Sequence, residues 1–74
     1  MISENLIERD PEKLGGTPVF HGTRVPVKTL FDYLETGETL ETFLEDFPTV
    51  KRDQALGVLA ASRDYLLTPH ETAA

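Results

Sequence analysis

The segment Gly22-Thr23-Arg24-Val25-Pro26-Val27 constrains this chain more than any other. Gly22-Thr23 lies between Val19-Phe20-His21 and Arg24-Val25, a two-residue hairpin signal in which glycine supplies the positive φ that opens a type II′ turn. Pro26 removes a ladder donor and presets φ for a first helical turn. The chain must therefore pass from strand to helix within a few residues. No side chain in the segment is suited to bond-making chemistry.

Around this pivot the pattern is short strands, then helices. Residues 5–9 read as a strand with Leu6 and Glu8 opposite Ile7 and Arg9, ended by Asp10-Pro11. Residues 12–16 form a loop in which Gly15-Gly16 tolerates unusual dihedrals. Residues 18–21 and 24–26 make the two arms of the hairpin. Val27, Leu30, Phe31 and Leu34 then recur at helical spacing, with Gly37 placed for a C-terminal cap. Thr39 is a good N-cap for a second helix carrying Leu40, Phe43, Leu44 and Phe47, which Pro48 stops. A third helix over residues 52–67 sets Ala55, Val58, Leu59, Ser62 and Leu66 on one stripe, and a close helix crossing would explain Gly57 within it. The expected division is one domain over residues 1–74: strands and hairpin at 5–26, three helices at 27–67 and a frayed tail at 68–74.

With 74 residues and no cysteine, the chain sits where one core only just stabilises a fold and no disulfide or zinc–thiolate site can staple it. Self-association into a homodimer or higher homo-oligomer is the expected source of further burial. The strand edges of residues 5–9 and of the hairpin offer templates for pairing, and Phe20, Tyr33 and Tyr65 are candidate contact residues or core residues. No apolar stretch is long enough to span a membrane and no signal-peptide pattern is present, so a cytoplasmic location is expected.

The net charge of −6 opposes general attraction to nucleic acid, but it is unevenly spread. Between Lys13 and Phe31 there is no acid, and Lys13, Arg24 and Lys28 make the hairpin region locally basic. That patch fits either an anionic partner or an ordinary solvated surface. Catalysis lacks support: His21 and His70 have no nucleophile or carboxylate spaced to join them. Glu45-Asp46 reads as a solvated helix end rather than a metal site, and Gly15-Gly16 lacks the lysine and context of a phosphate loop. The reading is of a non-enzyme with no catalytic residues, no cofactor and no metal.

Two compact helices joined by a tight link and braced by a third match a helix-turn-helix, and equally a small three-helix bundle. In a helix-turn-helix the start of the last helix faces the major groove. Here that places Thr49, Lys51, Arg52 and Gln54 as DNA contacts, with Arg24 and Lys28 as outlying cations. Cations at a helix start are disfavoured by the helix dipole, a misfit that a binding role would explain.

Taken together, Asp10-Pro11-Glu12, Leu14-Gly15-Gly16-Thr17-Pro18-Val19, Gly22-Thr23-Arg24-Val25-Pro26-Val27, Leu34 with Gly37, and Glu45-Asp46-Phe47-Pro48 closely resemble the domain of unknown function 433 family. The resemblance implies a mainly α fold with a small N-terminal β-sheet, trihelical and homeodomain-like or winged helix-turn-helix. It also implies the antitoxin of a VapBC-like pair, a DNA-binding dimer that represses its own operon and neutralises a PIN-like ribonuclease toxin. The alternative is a dimeric protein-interaction adaptor that never touches DNA. Lys51 departs from the Ser or Thr common in such chains, leaving the cap to Thr49 if the helix begins earlier. Residues 68–74 are too few to wrap a toxin, which directs toxin contact to the sheet or the acidic middle helix.

Overall fold

The computed structural model describes residues 6–69, and these form a two-stranded sheet followed by three helices. Strand β1 (Ile7–Glu8) pairs antiparallel with β2 (Val19–Phe20), Ile7 opposite Phe20 and Glu8 opposite Val19. The expected strand over residues 5–9 is thus shorter; Asn5 lies outside the described residues, as does the tail from His70 onward. The second hairpin arm contributes only a bridge from Pro26 to Val19, flanked by Phe20 N–H to the Val25 carbonyl and Val27 N–H to the Pro18 carbonyl; the turn on one side and the start of the first helix at Val27 on the other leave no room for more pairing. Between the strands, Leu14, Gly15 and Gly16 all take positive φ, of 51°, 66° and 90°.

The hairpin turn is displaced by one residue from its sequence reading. Thr23 N–H donates to the Phe20 carbonyl at 2.9 Å, so His21 and Gly22 are the central pair. Gly22 carries the required positive φ, 77°, but at the second central position. Thr23 explains the shift. Its buried hydroxyl donates to the Phe20 carbonyl at 2.8 Å and accepts from Val25 N–H at 3.0 Å, closing a four-residue loop from the inside.

Helix α1 (Val27–Glu35) begins directly after Pro26 and ends in a Schellman motif. Glu38 N–H reaches the Tyr33 carbonyl and Gly37 N–H the Leu34 carbonyl, with Gly37 at φ 91°. Helix α2 (Leu40–Asp46) is capped by the Thr39 hydroxyl, which accepts from Thr42 N–H at 3.1 Å. Helix α3 (Arg52–Leu67) starts after the link in which buried Val50 plugs into the core while Pro48 and Thr49 face outward. Lys51, not Thr49, is its N-cap; Lys51 has no side-chain acceptor, and the Gln54 side chain instead receives Lys51 N–H at 2.9 Å.

The core joins Phe20, Val27, Leu30, Phe43, Val50, Ala55 and Val58. Its densest part is an aromatic corner: Phe43 lies 5.9 Å from Phe20, 5.5 Å from Tyr33 and 5.2 Å from Phe47, ring centre to ring centre. Edge-to-face and tilted pairs of this kind add to burial alone. Gly57 is explained by the strand side, not by a helix crossing. A Cβ there would stand 2.9 Å from a methyl of Leu6. The architecture is mainly α with a small N-terminal sheet and is consistent with a helix-turn-helix-like fold.

Candidate nucleic-acid interface

The start of α3 and the hairpin loop share one corner of the molecule. The link is Gln54, whose side-chain amide donates to the His21 carbonyl at 3.0 Å while its oxygen holds Lys51 N–H. Both ends of that side chain are therefore engaged in structure, and Gln54 is only half-exposed. Arg52 is exposed and donates to Glu41 of α2 at 2.5 Å. That ion pair offsets the unfavourable position of a cation at a helix start, raises the Arg52 pKa and lowers that of Glu41. Thr49, Lys51 and Arg24 are exposed, and Lys51 and Arg24 have no ion pair among the described residues.

Lys28 belongs elsewhere. It pairs with Asp32 one turn on in α1, at 2.9 Å, which raises its pKa, and it borders a recess with Arg9, Thr17 and Pro18. Of the six candidate contacts, the structure gathers Thr49, Lys51, Arg52 and Gln54 at the α3 start, with the Arg24 loop beside them. Sequence reasoning missed Glu8, which organises that loop from β1. One carboxylate oxygen accepts Gly22 N–H at 2.7 Å and the other accepts from Lys13 at 2.9 Å. The Gly22 bond first, and Lys13 second, hold the Glu8 carboxyl below the usual carboxylate range.

A second surface lies between β1, α1 and the later turns of α3. It is an almost wholly apolar trough of about 430 Å³, floored by Leu6, Ile7, Val27 and Phe31 and walled by Val58, Ala61, Ser62, Tyr65 and Leu66. Leu66 was expected to turn inward but is three-quarters exposed. Tyr65 likewise stands out, whereas Phe20 is fully buried and Tyr33 packs in the aromatic corner. Among the described residues no group of carboxylates and histidines is arranged to hold a metal ion, and no helix is long and apolar enough to cross a membrane.

The sequence profile of the family described as "Protein of unknown function (DUF433)" matches residues 7–60, from β1 into the middle of α3. The chain belongs to the DUF433 family. A relative, the uncharacterized protein y4eO of Sinorhizobium fredii (strain NBRC 101917 / NGR234), is 35% identical over 52 residues, covering 70% of this chain and 24% of that protein. The chain therefore spans about a quarter of the length of the relative it matches. No solved structure matches the chain. The DUF433 match includes the hairpin, the aromatic corner and the α3 start, and it stops before Tyr65 and Leu66.

Proposed function

We propose that this DUF433 domain is a cytoplasmic antitoxin of a type II toxin–antitoxin pair, which sequesters a PIN-like ribonuclease toxin and binds its own operator as autorepressor. It acts by recognition and makes no bonds. The observation that carries the operator half is the α3 corner, where Thr49 and Lys51 stand open and the Gln54–His21 bond brings the Arg24 loop alongside. Lys51 and Arg24 suit phosphate contacts, and Arg52 joins them if a phosphate displaces Glu41 from an exposed, weak ion pair. Gln54 serves here as a brace rather than an adenine reader. Toxin neutralisation is supported by the family likeness of the motifs alone.

A gel shift with the DNA upstream of the chain's own reading frame, at low and moderate salt, tests the operator half. Specific binding is expected to weaken steeply with salt, and R24A/K51A to weaken it and flatten the salt slope by about 2. Absence of a shift at about micromolar protein leaves the second reading, an interaction adaptor, which the Arg52–Glu41 pair and the apolar trough favour. For the toxin half, a ribonuclease encoded in the adjacent frame should lose activity when this protein is added.

A further inference from the structure

Charged side chains tie α2 to α3 at one point. The Arg52 guanidinium, at the start of α3, donates through Nη2 to Oε1 of Glu41, in the first turn of α2. Among the described residues no other ion pair joins two helices. The hydrogen bond between them raises the Arg52 pKa and lowers that of Glu41, and no third charged group contributes to either shift. Both side chains are open to solvent, Arg52 at 50% and Glu41 at 62%. A carboxylate that braces an arginine for a partner sits behind it, whereas this one shares the solvent from which a partner arrives.

We propose that Glu41 is an autoinhibitory group of the α3 corner: its carboxylate takes on Arg52 the place of a nucleic-acid phosphate, and so holds DNA affinity down. This rests on the operator reading and adds to it a residue that opposes binding. Carboxylate and phosphate engage a guanidinium through the same planar set of donors, so one displaces the other. Until Glu41 leaves, Arg52 offers a phosphate fewer free donors, and the acid repels that phosphate at close range. Displacement is feasible because an exposed pair is weak. The contact is a restraint, not a block.

The charge balance gives Glu41 its leverage. Three exposed cations, Arg24, Lys51 and Arg52, and two exposed acids, Glu41 and Asp53, belong to the corner, leaving +1 on a chain of −6. Without Glu41 the corner carries +2. Asp53 has no ion pair among the described residues and so ties up no cation. Glu41 both cancels a charge and engages the donor that would carry it.

Gel-shift titrations of the full chain at low salt test this, with the duplex upstream of its own reading frame and a random-sequence duplex of equal length. Glu41→Gln should lower Kd by about 3- to 10-fold on both and steepen the salt slope by about 1. In an Arg52→Ala background the same change should lose most of that gain. Glu45→Gln removes an equal charge from an exposed position one turn along α2, and should alter Kd less than about 2-fold. Glu41→Ala gives the same direction should the Gln variant fold poorly by circular dichroism. A wild type that shifts DNA, with Glu41→Gln binding no tighter, overturns the inference and leaves the operator reading standing. Equal gains at Glu41 and Glu45 overturn it as well, since bulk charge then suffices. If neither the wild type nor Glu41→Gln shifts either duplex, the inference and the operator reading fall together.

Discussion

The aromatic corner between α1 and α2 and the trough between β1, α1 and α3 draw on the same kinds of side chain and reach opposite outcomes. In the corner, Phe43 is fully buried and ringed by Phe20, Tyr33 and Phe47, and the surrounding helix ends are closed by Gly37 and the Thr39 hydroxyl. In the trough, Phe31 and Ile7 are half-covered and Leu66 stands in solvent. The difference lies in the turns. Short capped links fold α1 and α2 onto each other, whereas among the described residues the last turns of α3 run past the buried core, with Leu66 and Leu67 each 75% exposed. Among the described residues, the corner is closed and the trough is only partly covered.

The largest expected effect breaks the closed corner. Phe43→Ala should cost about 3–5 kcal/mol of unfolding free energy by urea titration, much of a small domain's stability, whereas Leu66→Ala should cost below about 0.5 kcal/mol. Similar costs at the two positions would mean that the two regions do not differ as described.

Next comes the turn that joins the sheet to both regions. Gly22 has open space around the position of a Cβ, so Gly22→Val acts through the positive φ alone and should lower stability by about 1–2 kcal/mol. An unchanged melting temperature would remove the left-handed turn from the account.

The smallest effect concerns the clamp beneath that turn. Glu8 has its folded-state pKa depressed by Gly22 N–H and Lys13, so its contribution is present above about pH 5 and fades as pH falls through the folded value. Glu8→Gln should flatten the acid side of the stability–pH curve measured by urea midpoints; a curve parallel to that of the wild type would exclude the clamp.

Much of this architecture was legible in the sequence because local rules agreed with one another. Pro26 before Val27, Gly37 after Leu34 and Thr39 before Leu40 each mark a helix end by a specific backbone requirement, and the helices begin and end there. The turn was misplaced by one residue because positive φ at Gly22 satisfies two turn registers, and only the two hydrogen bonds of the Thr23 hydroxyl choose between them. Periodicity gave Leu66 its correct face of α3 but could not say whether anything lies opposite. The candidate DNA contacts were legible as polar residues at a helix start. Their engagements were not, because Gln54 meets His21 across 33 positions and Arg52 meets Glu41 across 11. Such partners are set by how the elements pack, and no local pattern encodes them.

The contrast between the closed corner and the partly covered trough is tested most directly by amide hydrogen exchange, followed along the chain. The amides of the last two turns of α3 should exchange by local opening, far faster than those around Leu30 in α1. Equal protection of the two segments would contradict the account.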